Sequence, residues 1–197
     1  MANVSNVKAK FFEPDGVDAD QVSASGSATT LVIADGGPYG NLTETITLYS
    51  SGNNSGNTFT ITGTDGNGDA QTEDLTGPNA GTVNSAEKYA TITSIVSDGA
   101  IVTDIQAGIL GTGDLTGVVF AGRTRIRGIT GTSKASAGNI TFTNTSITGT
   151  TLLTIPTTGA VDAIEPYIPD NGILFKAGAY ITVPAASVTG ITVFYDG

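Results

Sequence analysis

Apolar and polar residues alternate with a period of two along much of the chain, most plainly in Phe59-Thr-Ile61, Ile140-Thr-Phe142 and Ile191-Thr-Val193-Phe-Tyr195. That period puts successive side chains on opposite faces of a half-buried strand. Runs of this kind predict strands over 29–33, 45–49, 58–62, 71–75, 89–96 and 104–109. Further on they predict strands over 118–127, 140–145, 151–155, 160–164, 173–175, 180–183 and 191–195. Between them lie Gly, Asn, Asp and Pro clusters, such as Asp65-Gly-Asn-Gly-Asp69, Thr76-Gly-Pro-Asn-Ala-Gly81 and Pro169-Asp-Asn-Gly172. These residues tolerate or preset the backbone angles of tight turns. Turn signals at about every 8–12 residues are the mark of a sandwich or barrel. Only 85–89 could take a helical turn. The fold expected is all-β, with two β-sandwich or jelly-roll-like modules of short antiparallel strands. At the C-terminal strand, alternation puts Ile191, Val193 and Tyr195 on one face, and Phe194 is expected in the core.

Composition supports this pattern. Of 197 residues, 32 are Thr and 27 are Gly, while only 13% are charged, against about 25% in ordinary domains. Thr is β-branched and suits a pleated, half-exposed surface. The net charge of −10 is unevenly spread: residues 1–117 carry 14 acids and 3 bases, residues 118–197 carry 4 acids and 5 bases. Together with the Gly-rich stretch 111–117, this predicts an acidic module over 1–117 and a near-neutral one over 118–197. An acidic majority argues against nucleic acid as partner, since phosphate contacts need clustered Lys and Arg. No apolar run approaches the ~20 residues that span a bilayer as a helix, so no membrane role is expected. The polar start lacks the apolar segment of a signal peptide, and synthesis in a cytoplasm is expected.

Chemistry is constrained by what is missing. The chain has no His and no Cys, which removes the commonest general base, the commonest metal ligand and any thiolate. Paired carboxylates could still act alone. However, no segment supplies nucleophile, base and oxyanion donors together, and the Gly-rich stretches match no phosphate-binding loop. The expectation is no enzyme, no catalytic residue, no cofactor and no metal. Asp65-Gly-Asn67-Gly-Asp69 opens like a calcium loop, but the sixth and twelfth positions of that pattern hold Ala70 and Thr76. A hairpin turn is the expected reading.

One candidate contact remains. In Arg123-Thr-Arg125-Ile-Arg127, strand geometry puts three arginines on one face and Ile126 on the other. Like charges in a row repel unless something acidic faces them. Candidates for that counterpart are the acidic module, a neighbouring subunit or solvent. Arg bonds carboxylates in a bidentate, directional way, so Arg123, Arg125 and Arg127 are taken as a subunit contact.

The stretches Thr58-Phe-Thr-Ile-Thr-Gly-Thr-Asp-Gly-Asn-Gly-Asp-Ala-Gln-Thr-Glu73, Leu75-Thr-Gly-Pro-Asn-Ala-Gly-Thr82 and Tyr89-Ala-Thr-Ile-Thr-Ser-Ile95 resemble a module of tailed-bacteriophage virion proteins, especially of phages of marine bacteria and cyanobacteria. Arg125-Ile-Arg127, Gly172-Ile-Leu-Phe175 and Val188-Thr-Gly-Ile-Thr-Val-Phe-Tyr195 resemble a segment of small phage structural proteins. The resemblance implies a structural part of a virion and brings no catalytic residues. Head, neck and tail positions stay open. The reading it favours is a capsid decoration, or cement, protein that binds the major capsid protein as a symmetric homo-oligomer, often a trimer, and stabilises the head shell. A neck, tail or fibre component is the alternative. A carbohydrate- or receptor-binding sandwich, using Tyr39, Tyr49, Tyr167 or Tyr180, is a third.

Overall fold

The computed structural model describes residues 7–14, 18–24 and 29–197, and among them there is no helix. Strands account for 63% of the described residues, in several small antiparallel sheets, so the fold is all-β. The chain divides into two compact units. It opens in unit 1 with β1 (Lys8–Phe12), then enters unit 2 with β2 (Asp18–Ala24) and β3 (Val32–Ile33). Gly40–Leu42 belong to unit 1 again. Unit 2 continues with β4 (Glu44–Asn53), β5 (Thr58–Thr64), β6 (Ala70–Thr76), β7 (Asn79–Tyr89), β8 (Thr91–Ser97) and β9 (Ile105–Ile109). From Thr112 the chain stays in unit 1. There it forms β10 (Asp114–Phe120), β11 (Thr124–Ser133), β12 (Ala137–Asn144), β13 (Thr150–Thr158), β14 (Ala163–Ile164), β15 (Ile173–Phe175), β16 (Ala179–Pro184) and β17 (Val188–Asp196).

This corrects a contiguous division into 1–117 and 118–197. Asp114–Phe120 pairs with β16 from Asp114↔Pro184 onward, and Lys8–Phe12 pairs with β17 from Lys8↔Tyr195 to Phe12↔Ile191. Both segments are therefore strands of unit 1. The charge contrast grows once residues are assigned by structure: unit 2 holds 12 acids and one base, Lys88, a net of −11, and unit 1 holds 6 acids and 7 bases, a net of +1.

Unit 1 is a sandwich. One sheet runs β1-β17-β11, with β14 and β15 both pairing the far side of β11; the other runs β10-β16-β12-β13. The alternating residues Ile126, Ile129, Ile191 and Val193 of the first sheet share one core with Leu115, Ile140, Phe142, Ile181 and Val183 of the second. Burying such side chains stabilises by about 1.5–3 kcal/mol each. Phe194, expected in the core, is instead 36% exposed. It lies on the outer face opposite Gly128, whose missing side chain leaves room for the ring. An aromatic ring over a sheet glycine restores contacts that the glycine lacks.

Unit 2 repeats the scheme with a β3-β2-β9-β4-β7 sheet and a β6-β5-β8 sheet. Its core joins Ile46, Leu48, Ile105 and Ile109 to Phe59, Ile61, Ile92 and Ile95.

Three predicted elements differ. The single strand over 118–127 is two strands of different sheets, broken at 121–123 around Gly122. The turn at 76–81 and the helical turn at 85–89 give way to β7, which pairs with β4. Its register jumps between Thr45↔Lys88 and Thr47↔Asn84, so Ser85, Ala86 and Glu87 bulge opposite Ile46. Ser85 Oγ accepts from the Ile46 N–H at 2.9 Å and donates to the Glu87 carbonyl at 2.7 Å. Such a bulge kinks the strand, which is why the segment reads like a turn. The Asp65–Asp69 segment is the expected hairpin turn: the Asp65 carboxylate accepts from the Asn67 and Asp69 N–H groups at 2.8 and 3.0 Å.

Candidate protein-contact site at the basic end of unit 1

Register, rather than sequence spacing, assembles the site. β11 begins at Thr124, so Arg123 precedes the strand and is exposed, while Arg125 and Arg127 are half-buried. Between them Ile126 is fully buried, as the alternation requires. Arg125 stands opposite Asp196 of β17 and opposite Leu174 of β15. Arg127 falls in a bulge, because pairing passes from Ile126↔Tyr195 to Gly128↔Phe194. On β1, Lys8 pairs with Tyr195. On the other flank Lys176 follows Phe175, the partner of Thr124. Thus Lys8, Arg123, Arg125, Arg127 and Lys176, five of the eight basic residues, gather at one end of a single sheet.

Their counter-charges are few. Arg127 Nε lies 3.8 Å from Asp196 Oδ2, an ion pair across the bulge. Asp170 sits in the neighbouring turn, where Arg125 donates to the Asn171 carbonyl at 2.9 Å. Lys8 donates to the Gly197 carbonyl at 2.9 Å and lies 5.5 Å from the Phe120 ring centre, within cation–π range. That ring is in turn 5.9 Å from Tyr195. Thr124 Oγ1 donates to the Asp196 carbonyl and fixes the rim. A shallow cleft of about 250 Å³ is lined by Arg123, Thr124, Arg125, Leu174, Asp196 and Gly197. Arg123 and Lys176 make no hydrogen bond or ion pair among the described residues.

The three arginines named from the sequence are therefore brought to one place, in which part of the positive charge is met by the chain's own Asp196. That acid was not among the counterparts expected for the arginine face. Lys8 and Lys176 were not legible either: each stands more than 45 residues from the arginines, and only the pairing of β1 with β17 and of β15 with β11 brings them together. The surface can bind an anionic group by charge and directed N–H donors.

Elsewhere, no group of three or more acidic residues among the described residues is placed to hold a metal ion. Of the tyrosines considered for a sugar surface, Tyr39 and Tyr180 are buried. Tyr49 (43% exposed) and Tyr167 (85%) are exposed, one in each unit.

Compared with protein-family models, with curated proteins and with solved structures, the chain matches none.

Proposed function

We propose that this chain is a non-catalytic structural protein of a tailed-bacteriophage virion. In this reading it is a capsid decoration protein, bound to the major capsid protein as a homo-oligomer. The observation that carries an assembly role is the basic end of unit 1: five cations held by paired strands of one sheet, in a chain whose other unit carries a net −11. Arg and aromatic residues are enriched at the centres of protein interfaces, and here Phe120 and Tyr195 lie beside the cations. The link to a phage particle is the resemblance of residues 58–95 and 125–195, which fall on β5–β8 and on β11, β15 and β17. Each contact is modest, but repetition by symmetry turns modest contacts into high avidity.

Copy number tests the reading. Quantitative mass spectrometry of particles carrying this chain is expected to find hundreds of copies, whereas about a dozen or fewer would move it to the neck or tail. Turnover of any substrate that vanishes on changing one carboxylate would overturn the non-catalytic reading. Replacing Arg123, Arg125 and Arg127 by Glu is expected to abolish incorporation into particles; unchanged incorporation would remove the basic end from the contact.

A further inference from the structure

The two units carry complementary ends. In unit 2 the Asp65–Asp69 turn joins β5 to β6, and β6 is tied to the β7 bulge: Glu73 accepts from the Ala86 and Glu87 N–H groups at 2.8 and 3.1 Å. Beside it, Gln71 donates to the Lys88 carbonyl at 2.8 Å. Asp65 and Asp69 lie at the tip of the β5–β6 hairpin, and Glu73, opposite Ile61, is held further along β6 beside Glu87; Lys88 is the unit's only base. Asp69 and Glu87 are exposed and their carboxylates make no hydrogen bond or ion pair among the described residues. On unit 1, Arg123 and Lys176 are in the same condition.

We propose that the basic end of unit 1 docks against the acidic β5–β6 end of unit 2 in a second copy of this chain. The proposal rests on the reading of the basic end as a protein contact and names its partner. Charge decides the geometry. A two-fold contact between like ends would set carboxylates against carboxylates or cations against cations, while a head-to-tail contact sets opposite signs together. Head-to-tail contacts close into rings when the rotation allows and otherwise run on as open chains. Exposed ion pairs are individually weak, so the contact belongs to crowded or templated conditions and gains strength by repetition. A nucleic-acid occupant is disfavoured by the acidic unit on the same chain.

Analytical ultracentrifugation of the full chain tests this. At low salt and high concentration the mean mass is expected to rise above the single-chain 19.8 kDa. It should fall back as salt screens the contact, with self-association weakened by about tenfold or more. Two double variants, Arg123→Glu with Lys176→Glu and Asp69→Lys with Glu87→Lys, alter exposed side chains with no described bonds, and unchanged melting verifies their folds. Each is expected to stay at single-chain mass alone. Their equimolar mixture should recover association, because each supplies the end the other lacks. A wild-type chain that stays single at low salt overturns the proposal. So does association by either variant alone, or a mixture that fails to associate. So does binding of a single-stranded oligonucleotide that the first variant abolishes and the second leaves intact. Should particle incorporation depend on Arg123 and Lys176 but not on Asp69 and Glu87, self-docking is wrong while the assembly role stands.

Discussion

Units 1 and 2 are built alike, as two antiparallel sheets over one apolar core, yet they use charge in opposite ways. In unit 2, carboxylates accept backbone N–H groups: Asp35 from Gly37, Asp65 from Asn67 and Asp69, Glu73 from Ala86 and Glu87, and Asp98 from Thr58. In unit 1, cations donate to backbone carbonyls: Lys8 to Gly197, Lys10 to Val118, Arg125 to Asn171 and Lys134 to Ala185. Turns and strand ends leave backbone groups of both kinds unsatisfied, and each unit meets mostly the kind its own charge can serve. The lesson is that a strongly charged unit can fold with almost no ion pairs. Some of its acids act as local clamps on turns, Glu44 is buried, and Asp69 and Glu87 are exposed.

The sharpest way to separate the units is to empty one core at a time. Phe59→Ala in unit 2 and Phe142→Ala in unit 1 remove fully buried rings, each at a cost of about 3–5 kcal/mol. With independent cores, either variant is expected to split denaturant unfolding into two transitions, only one of them shifted. A single transition shifted in both would show that the units melt together.

Asn54 comes next. This side chain, 1% exposed, donates to Ser50 Oγ at 3.0 Å and to the Thr103 carbonyl at 2.9 Å. It also accepts from the Val102 and Thr103 N–H groups. Asn54→Ala leaves several buried groups without partners and is expected to cost about 2–4 kcal/mol in urea unfolding.

Glu73→Ala tests the clamp itself. Loss of two charge-assisted bonds is expected to cost about 1–3 kcal/mol. It should also speed hydrogen exchange at Ala86 and Glu87, with little change in unit 1. Faster exchange spread over unit 1 as well would mean that the clamp is not local.

The smallest effect at neutral pH is expected at Tyr89. Its ring is buried under Gly63, and its hydroxyl has no hydrogen-bond partner among the described residues. Tyr89→Phe should be neutral or slightly stabilising at pH 7. At high pH the variant becomes informative. Burial, then the charges of Glu73 and Glu87, push the Tyr89 hydroxyl from 10.0 up to about 12. The unfolded chain therefore loses this proton first, and stability is lost as pH rises above 10 towards 12. Wild-type melting should fall more steeply over that window than melting of Tyr89→Phe; equal slopes would show that the hydroxyl reaches solvent.

Much of this fold was legible wherever alternation was clean. Ile140 and Phe142, or Ile191 and Val193, declare strand and face at once, and the Asp65–Asp69 turn declares itself by its glycines. β7 did not, because Ala80-Gly81, Asn84-Ser85 and a three-residue bulge interrupt the period of two that burial would otherwise impose. β1 is short, and the strand that pairs it lies nearly the whole chain away. The candidate site was half legible. Arg123, Arg125 and Arg127 are neighbours in sequence, whereas Lys8, Lys176 and Asp196 join them only through register, which no local pattern encodes.

The pairing of β1 with β17 also sets an order of events during synthesis. All the strands of unit 2 have been made by Ile109, but Lys8–Phe12 must wait for Ile191–Tyr195. At ribosomal speeds of about 5–20 residues per second, that wait lasts roughly 10–35 seconds. Throughout it Phe11 and Phe12 have no β17 to pair with, while the acidic unit is free to fold. A nascent chain in this state would carry one complete, negatively charged unit and one incomplete sandwich. On a crowded polysome, mutual repulsion between such charged units would hold the unfinished halves of adjacent chains apart.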